Sequence, residues 1–201
     1  MIKISTSQGL EFVQQHGQSI LDASIAAGYP ILHSCRSGRC GLCKAKLVAG
    51  DTQCYRREEL PAALSQHNWI LTCSRSALSD VQLELASGQP MPMAKAVKLP
   101  CVIRQLSESG PDSLLVSLQL PLVCRTRYQP GQRLCVLNAA GVSGTYQVAA
   151  VLPEQRQIQL QLARRSDSAL QHYWFAEAKI DDVLTVLGPL AAASEAAVGV
   201  G

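Results

Sequence analysis

The stretch Cys35-Arg36-Ser37-Gly38-Arg39-Cys40-Gly41-Leu42-Cys43 decides how the first half of this chain must fold. Its spacing, C-x4-C-x2-C, is the arrangement of thiolate ligands around a two-iron, two-sulfide cluster. Three thiolates this close together cannot share one helix face or one strand edge, so the segment must be a loop wrapped around something compact. Gly38 and Gly41 suit such a loop, because they permit positive φ and let backbone N-H groups approach sulfur closely. Arg36 and Arg39 carry positive charge beside an anionic site, as solvated side chains or as tuning or docking groups. A fourth thiolate is required, and Cys73 is the candidate: 29 residues separate it from Cys43, and it follows the apolar run Trp69-Ile70-Leu71.

Other uses of these cysteines fit less well. Structural zinc favours C-x2-C pairs on both sides of the site, and only Cys40 and Cys43 form one. A disulfide framework would accompany a secretory signal, whereas Met1-Ile2-Lys3-Ile4-Ser5 alternates apolar with polar residues. Eight cysteines without such a signal point to a reducing compartment, so a cytoplasmic protein is expected. Cys54, Cys101, Cys124 and Cys135 read as small buried hydrophobes. The chain has 201 residues, 47% of them hydrophobic and 16% charged, enough for one or two cored domains. A net charge of +3 is too small and dispersed to argue for nucleic acid, and no apolar run is long enough for a membrane span.

Working outward from the loop, Ile2 and Ile4, then Leu10 and Phe12, flank the turn-like Thr6-Ser7-Gln8-Gly9 and predict a β-hairpin. Ser19, with Asp22 three residues on, precedes Ile20, Leu21, Ile25 and Ala26, and Gly28 and Pro30 end the run, predicting a capped helix. Beyond the loop, strands are expected at Lys44 to Val48, Trp69 to Thr72 and Val81 to Leu85, with a short helix between Arg57 and Ala63. The pattern suggests a mixed sheet gripping one helix, a β-grasp arrangement.

The segments His33 to Lys44 and Ile70-Leu71-Thr72-Cys73 resemble the cluster loop and the fourth-ligand segment of plant-type 2Fe-2S ferredoxin domains, over residues 1–88. The resemblance implies Cys35, Cys40, Cys43 and Cys73 as ligands, with the outer iron held by the Cys35 and Cys40 end of the loop. It also implies a low potential, roughly −400 mV.

A linker without periodicity is expected at 89–96, then six candidate strands: Cys101 to Leu106, Leu114 to Leu120, Gln132 to Leu137, Tyr146 to Val151, Gln157 to Ala163 and Val183 to Leu187. Their spacing predicts a small antiparallel barrel over 97–190, so the fold class is α+β followed by all-β, ending in a flexible tail at 191–201. One helix is expected where Ser166-Asp167-Ser168 precedes Ala169, Leu170, Tyr173, Trp174 and Phe175, with the aromatics in the core.

Tyr128-Gln129-Pro130-Gly131-Gln132, Thr145-Tyr146-Gln147 and Gly188-Pro189 make this half resemble the flavin-binding barrel of the ferredoxin-NADP reductase family. The two halves in this order are similar to the reductase components of bacterial oxygenases. The resemblance implies FAD or FMN, with Tyr146 stacking on the flavin and Arg164 and Ser166 near its phosphate. The chain departs from the family at Gly144, where members carry an arginine, and it lacks their glycine-rich phosphate loop. The barrel is therefore read as degenerate. Only Ala191 to Gly201 follow, so no pyridine-nucleotide unit is expected and the chain alone should not oxidise NADH or NADPH.

The expected function is one-electron transfer through the 2Fe-2S cluster to or from a redox protein partner, a reductase or an oxygenase. Two alternatives stand beside it. One is a flavin-containing subunit passing electrons between FAD or FMN and the cluster, with a separate nucleotide-binding partner. The other is a redox-sensing regulatory module.

Overall fold

A computed structural model of the chain describes residues 1–86, 96–164 and 168–190. The expected linker, apart from Ala96, the expected tail and Ser166 lie outside the described residues.

Period-two alternation forms the opening hairpin, β1 (Ile2–Thr6) and β2 (Glu11–Gln14), with Ile4 opposite Phe12 and both buried. Helix α1 (Ile20–Ala27) follows with the caps expected of it: the Ser19 hydroxyl accepts the Asp22 amide at 2.9 Å, and Gly28 closes the helix at φ 86°. Ile20, Leu21 and Ile25 turn inward, which fixes the helix on the sheet. Next come β3 (Lys44–Ala49), β4 (Thr52–Cys54), α2 (Ala62–Ser65), β5 (Trp69–Leu71), β6 (Arg75–Ala77) and β7 (Val81–Leu85).

The main sheet has the order β2-β1-β7-β3-β5, with β1 and β7 parallel and the other pairs antiparallel. This is the mixed sheet with one packed helix that the pattern predicts. Two details differ. The short helix begins at Ala62 rather than near Glu58-Glu59, because Pro61 sets its start and biases the residue before it towards extended backbone. Strands β4 and β6 pair in a separate two-stranded ladder, and both are too short and polar to show a period.

The second half is a closed barrel of β8 (Val97–Gly110), β9 (Ser113–Gln119), β10 (Arg133–Leu137), β11 (Ser143–Leu152), β12 (Gln157–Ala163) and β13 (Val183–Leu190), in the order β10-β11-β12-β9-β8-β13. β8 starts four residues earlier than its expected Cys101, running through Pro100. That proline lies where β8 pairs with β13 alone, before pairing with β9 begins at Val102, so its missing N-H costs no ladder bond. The helix expected near residue 170 is reduced to a wide π-type turn at Tyr173–Glu177, closed by the Ala178 amide on the Tyr173 carbonyl at 2.7 Å. Trp174 is buried there, with Tyr173 and Phe175 packed against the core.

Ile103, Leu118, Leu134, Ile158, Leu160 and Leu184 are sealed inside the barrel, whereas Leu122 is 81% exposed. Leu118→Ala should destabilise the barrel by about 2–5 kcal/mol in a denaturant titration, and Leu122→Ala should stay within about 0.5 kcal/mol of the parent.

Candidate metal centre and the barrel face beside it

The cysteine loop lies between α1 and β3, and it has the geometry its glycines predict. Gly38 sits at φ 80° and Gly41 at φ 71°, and Arg36 also takes the left-handed region at φ 52°. A Cβ on Gly38 would lie 2.1 Å from the Arg57 carbonyl oxygen and 2.8 Å from the Ser74 hydroxyl, so only glycine fits the backbone packing there.

The sulfurs interact in two pairs, Cys35 with Cys40 and Cys43 with Cys73. Cys43 and Cys73 are deeply buried, Cys35 less so, and Cys40 is partly exposed. Among the described residues, no group of three His, Cys, Asp or Glu side chains converges where a single metal ion could sit. Two pairs of thiols suit a binuclear cluster, in which each iron takes two, better than a mononuclear tetrahedral site.

Backbone amides point at these sulfurs. The N-H groups of Ser37 and Cys40 both donate to Cys35 Sγ at 3.4 Å. Burial opposes ionisation of Cys35, but these amides, the Arg39 amide and the Ser37 hydroxyl outweigh it and bring the thiol down to about 7. In the inner pair, the hydrogen bond from Cys43 favours the Cys73 thiolate against burial, helped by the Ser74 hydroxyl and the Gly38 amide. The same interaction, with burial, pushes Cys43 well up. Burial, partly offset by amide donors, raises Cys40.

Several supporting residues carry no motif. Thr72 donates to the Cys43 carbonyl through its amide at 3.1 Å and its hydroxyl at 2.9 Å. Tyr55 holds the Cys73 carbonyl at 2.9 Å, and the Glu59 amide holds the Gly38 carbonyl at 2.7 Å. The Glu58 carboxylate accepts the Leu71 amide at 2.9 Å while paired with Arg75 at 3.0 Å. Residues 55–60 thus run as an extended strap over the loop, where a helix start had been expected. Their proximity to Cys73 follows from the β4-β6 ladder, which no sequence period announces.

The barrel touches the same loop from the other side. His33, 1% exposed, places Nε2 2.8 Å from the Ser143 hydroxyl and Nδ1 2.7 Å from the Ile31 carbonyl. A carbonyl only accepts, so Nδ1 carries the proton and the Ser143 hydroxyl donates to Nε2. Burial lowers the imidazole to about 4, partly offset by the Ile31 carbonyl, so the ring is neutral. Arg36 pairs with Asp22 and donates at 3.0 Å both to the Gly141 carbonyl and to the Ser143 hydroxyl. Cys54 is exposed, Cys124 partly buried, and Cys101 and Cys135 are buried thiols pushed up to about 12 by burial.

The residues expected at a flavin are engaged with protein. The Tyr146 ring folds over Gly144, where a Cβ would lie 2.7 Å from its hydroxyl, and it meets Trp174 edge-on at 5.8 Å. Arg164 sits 3.5 Å from Asp112 and 4.3 Å above the Phe175 ring.

Residues 4–77 match the family described as the 2Fe-2S iron-sulfur cluster binding domain. Over 182 residues the chain is 27% identical to the CDP-6-deoxy-L-threo-D-glycero-4-hexulose-3-dehydrase reductase of Yersinia pestis, covering 90% of this chain and 55% of that protein. Over 133 residues it is 29% identical to the terephthalate 1,2-dioxygenase reductase component 1 of Comamonas sp., covering 66% and 40%. The chain therefore spans about half the length, or less, of these relatives. Among solved structures, a cytochrome P450 reductase of Amycolatopsis, GcoB, superposes with a TM-score of 0.64 at 21% identity, over 95% of this chain and 58% of that one. The ferredoxin reductase of carbazole 1,9a-dioxygenase gives 0.61 at 22% identity, over 94% and 57%. Residues 4–77 are accordingly a 2Fe-2S cluster binding domain, and the barrel that follows has the fold of the ferredoxin reductases.

Proposed function

We propose that the chain is a one-electron transfer protein whose 2Fe-2S cluster is held by Cys35, Cys40, Cys43 and Cys73. The two thiol pairs, one inside and one at the rim, with amides aimed at their sulfurs, carry this reading. When bound, such a cluster accepts and releases electrons singly. The protein's own part is electrostatic and steric. Amides of the loop and the Ser37 and Ser74 hydroxyls stabilise thiolate charge, and the burial of Cys43 and Cys73 excludes water from the inner side. The Cys40 edge is the open side, where a redox partner would exchange electrons. We take that partner to be a reductase or an oxygenase, in line with the reductase components among the relatives. Residues 1–88 form the carrier, 97–190 the supporting barrel. Eight free cysteines support a reducing, cytoplasmic setting.

After reconstitution with iron and sulfide under anaerobic conditions, one-electron reduction should produce an EPR signal that disappears on reoxidation. Cys73→Ser should lose that signal and Cys124→Ser should keep it; silence in the parent protein would rule the reading out. Gly38→Ala forces a side chain into the Arg57 carbonyl at positive φ, so the yield of reconstituted cluster should fall at least about fivefold, as expected for strain of 1–3 kcal/mol. The iron-to-protein ratio after desalting measures it.

A further inference from the structure

The contacts between loop and barrel concentrate on Ser143 and Thr145, which share the face of β11 opposite Gly144 and Tyr146. His33 and Arg36, on either side of Cys35, both end on Ser143 at the start of β11. One step further along β11, Thr145 donates its amide to the His33 carbonyl at 3.2 Å and accepts the His33 amide on its hydroxyl at 3.4 Å. Beyond β12, the Ala169 amide, next to Ser168 in the stretch expected to meet a phosphate, donates to the Ser34 carbonyl at 3.0 Å. Every residue from His33 to Arg36 except Cys35 itself is thus hydrogen-bonded to the barrel. Ser143 is fully buried, and its hydroxyl serves both partners at once, donating to the imidazole and accepting from the guanidinium.

Among the described residues, the groups expected at a flavin are turned on protein partners. The Tyr146 ring occupies the space beside Gly144 where the family's arginine would lie, and its hydroxyl meets Ser168 at 3.4 Å. Arg164, the cation expected near a phosphate, is drawn to Asp112 and Phe175. A buried anionic phosphate would need a charge-assisted partner or free amides. Among the described residues, Arg164 has a carboxylate and the Ala169 amide has a carbonyl.

We propose that this face of the barrel is a clamp for the cluster loop: Ser143, Thr145 and Ala169 grip the segment His33 to Arg36. Ser143 is the central positioning residue. The proposal rests on the cluster reading above only in what the clamp holds. A rigid loop keeps the amide donors on Cys35 and limits water around the rim of the cluster.

Hydrogen exchange on the full chain tests the clamp without any cluster. The Thr145 and Ala169 amides should be protected in the parent, and each should exchange roughly tenfold faster in Ser143→Ala or Arg36→Gln, as expected for losing one buried hydrogen bond. In reconstituted protein, Ser143→Ala should release iron to a chelator roughly tenfold faster. Its midpoint potential should rise, because water reaching the rim solvates the more highly charged reduced cluster, whereas Leu122→Ala should move neither value. Unprotected Thr145 and Ala169 amides in the parent, or exchange of both left unchanged in Ser143→Ala, would overturn the clamp. A chain that keeps both amides protected yet assembles no cluster would overturn the electron-transfer reading alone.

Discussion

Two hydrogen bonds from Thr72 to the Cys43 carbonyl hold together what the sequence keeps 29 residues apart. The proposed two-iron cluster would need all four thiolates at once, and three of them sit on a loop with no regular structure to fix it. The fourth must arrive from a rigid element. Thr72 supplies this by extending the β3-β5 ladder one residue past Leu71, so that Cys73 leaves the sheet beside Cys43. The Leu21 amide then donates to the Thr72 carbonyl at 3.0 Å, which seats α1 against the same junction. The helix, the β3-β5 pair and the fourth sulfur are coupled through one threonine.

Around that junction, charge and polarity are satisfied locally. His33 is buried and neutral, Arg36 is charged and half-buried, and the Ser143 hydroxyl accommodates both because it can donate to one and accept from the other. Asp22 plays a similar double part. Its amide caps α1 on Ser19 while its carboxylate meets Arg36, so the start of the helix is tied to the left-handed turn of the loop. Holding Arg36 at positive φ costs backbone energy, which its several partners offset. The barrel thereby contributes to the shape of the loop as well as covering it.

Much of this was legible in the residues. The hairpin at Ile2–Gln14 and the barrel strands follow from period-two alternation, and α1 from its cap residues, because burial of one face imposes a period that the sequence must carry. The glycines at 38 and 41 were readable for a related reason: a tight loop has few backbone solutions. The strap at residues 55–60, the β4-β6 ladder and the π-type turn at Tyr173–Glu177 were not, because each is shaped by contacts distant in the chain. Glu58 is an example. Its carboxylate looks like helix-start chemistry in sequence, yet in the fold it accepts from Leu71 and pairs with Arg75.

The sequence by itself determined the chemistry: C-x4-C-x2-C with a fourth cysteine implies two-iron ligation, since thiolate number and spacing are local properties of the chain. It also determined the two architectures, through their hydrophobic periods. Only the tertiary structure decided which amides face the sulfurs, and that His33 and Arg36 meet on Ser143. Those are distances between residues up to 110 positions apart, set by how two cores pack, and no local pattern encodes them.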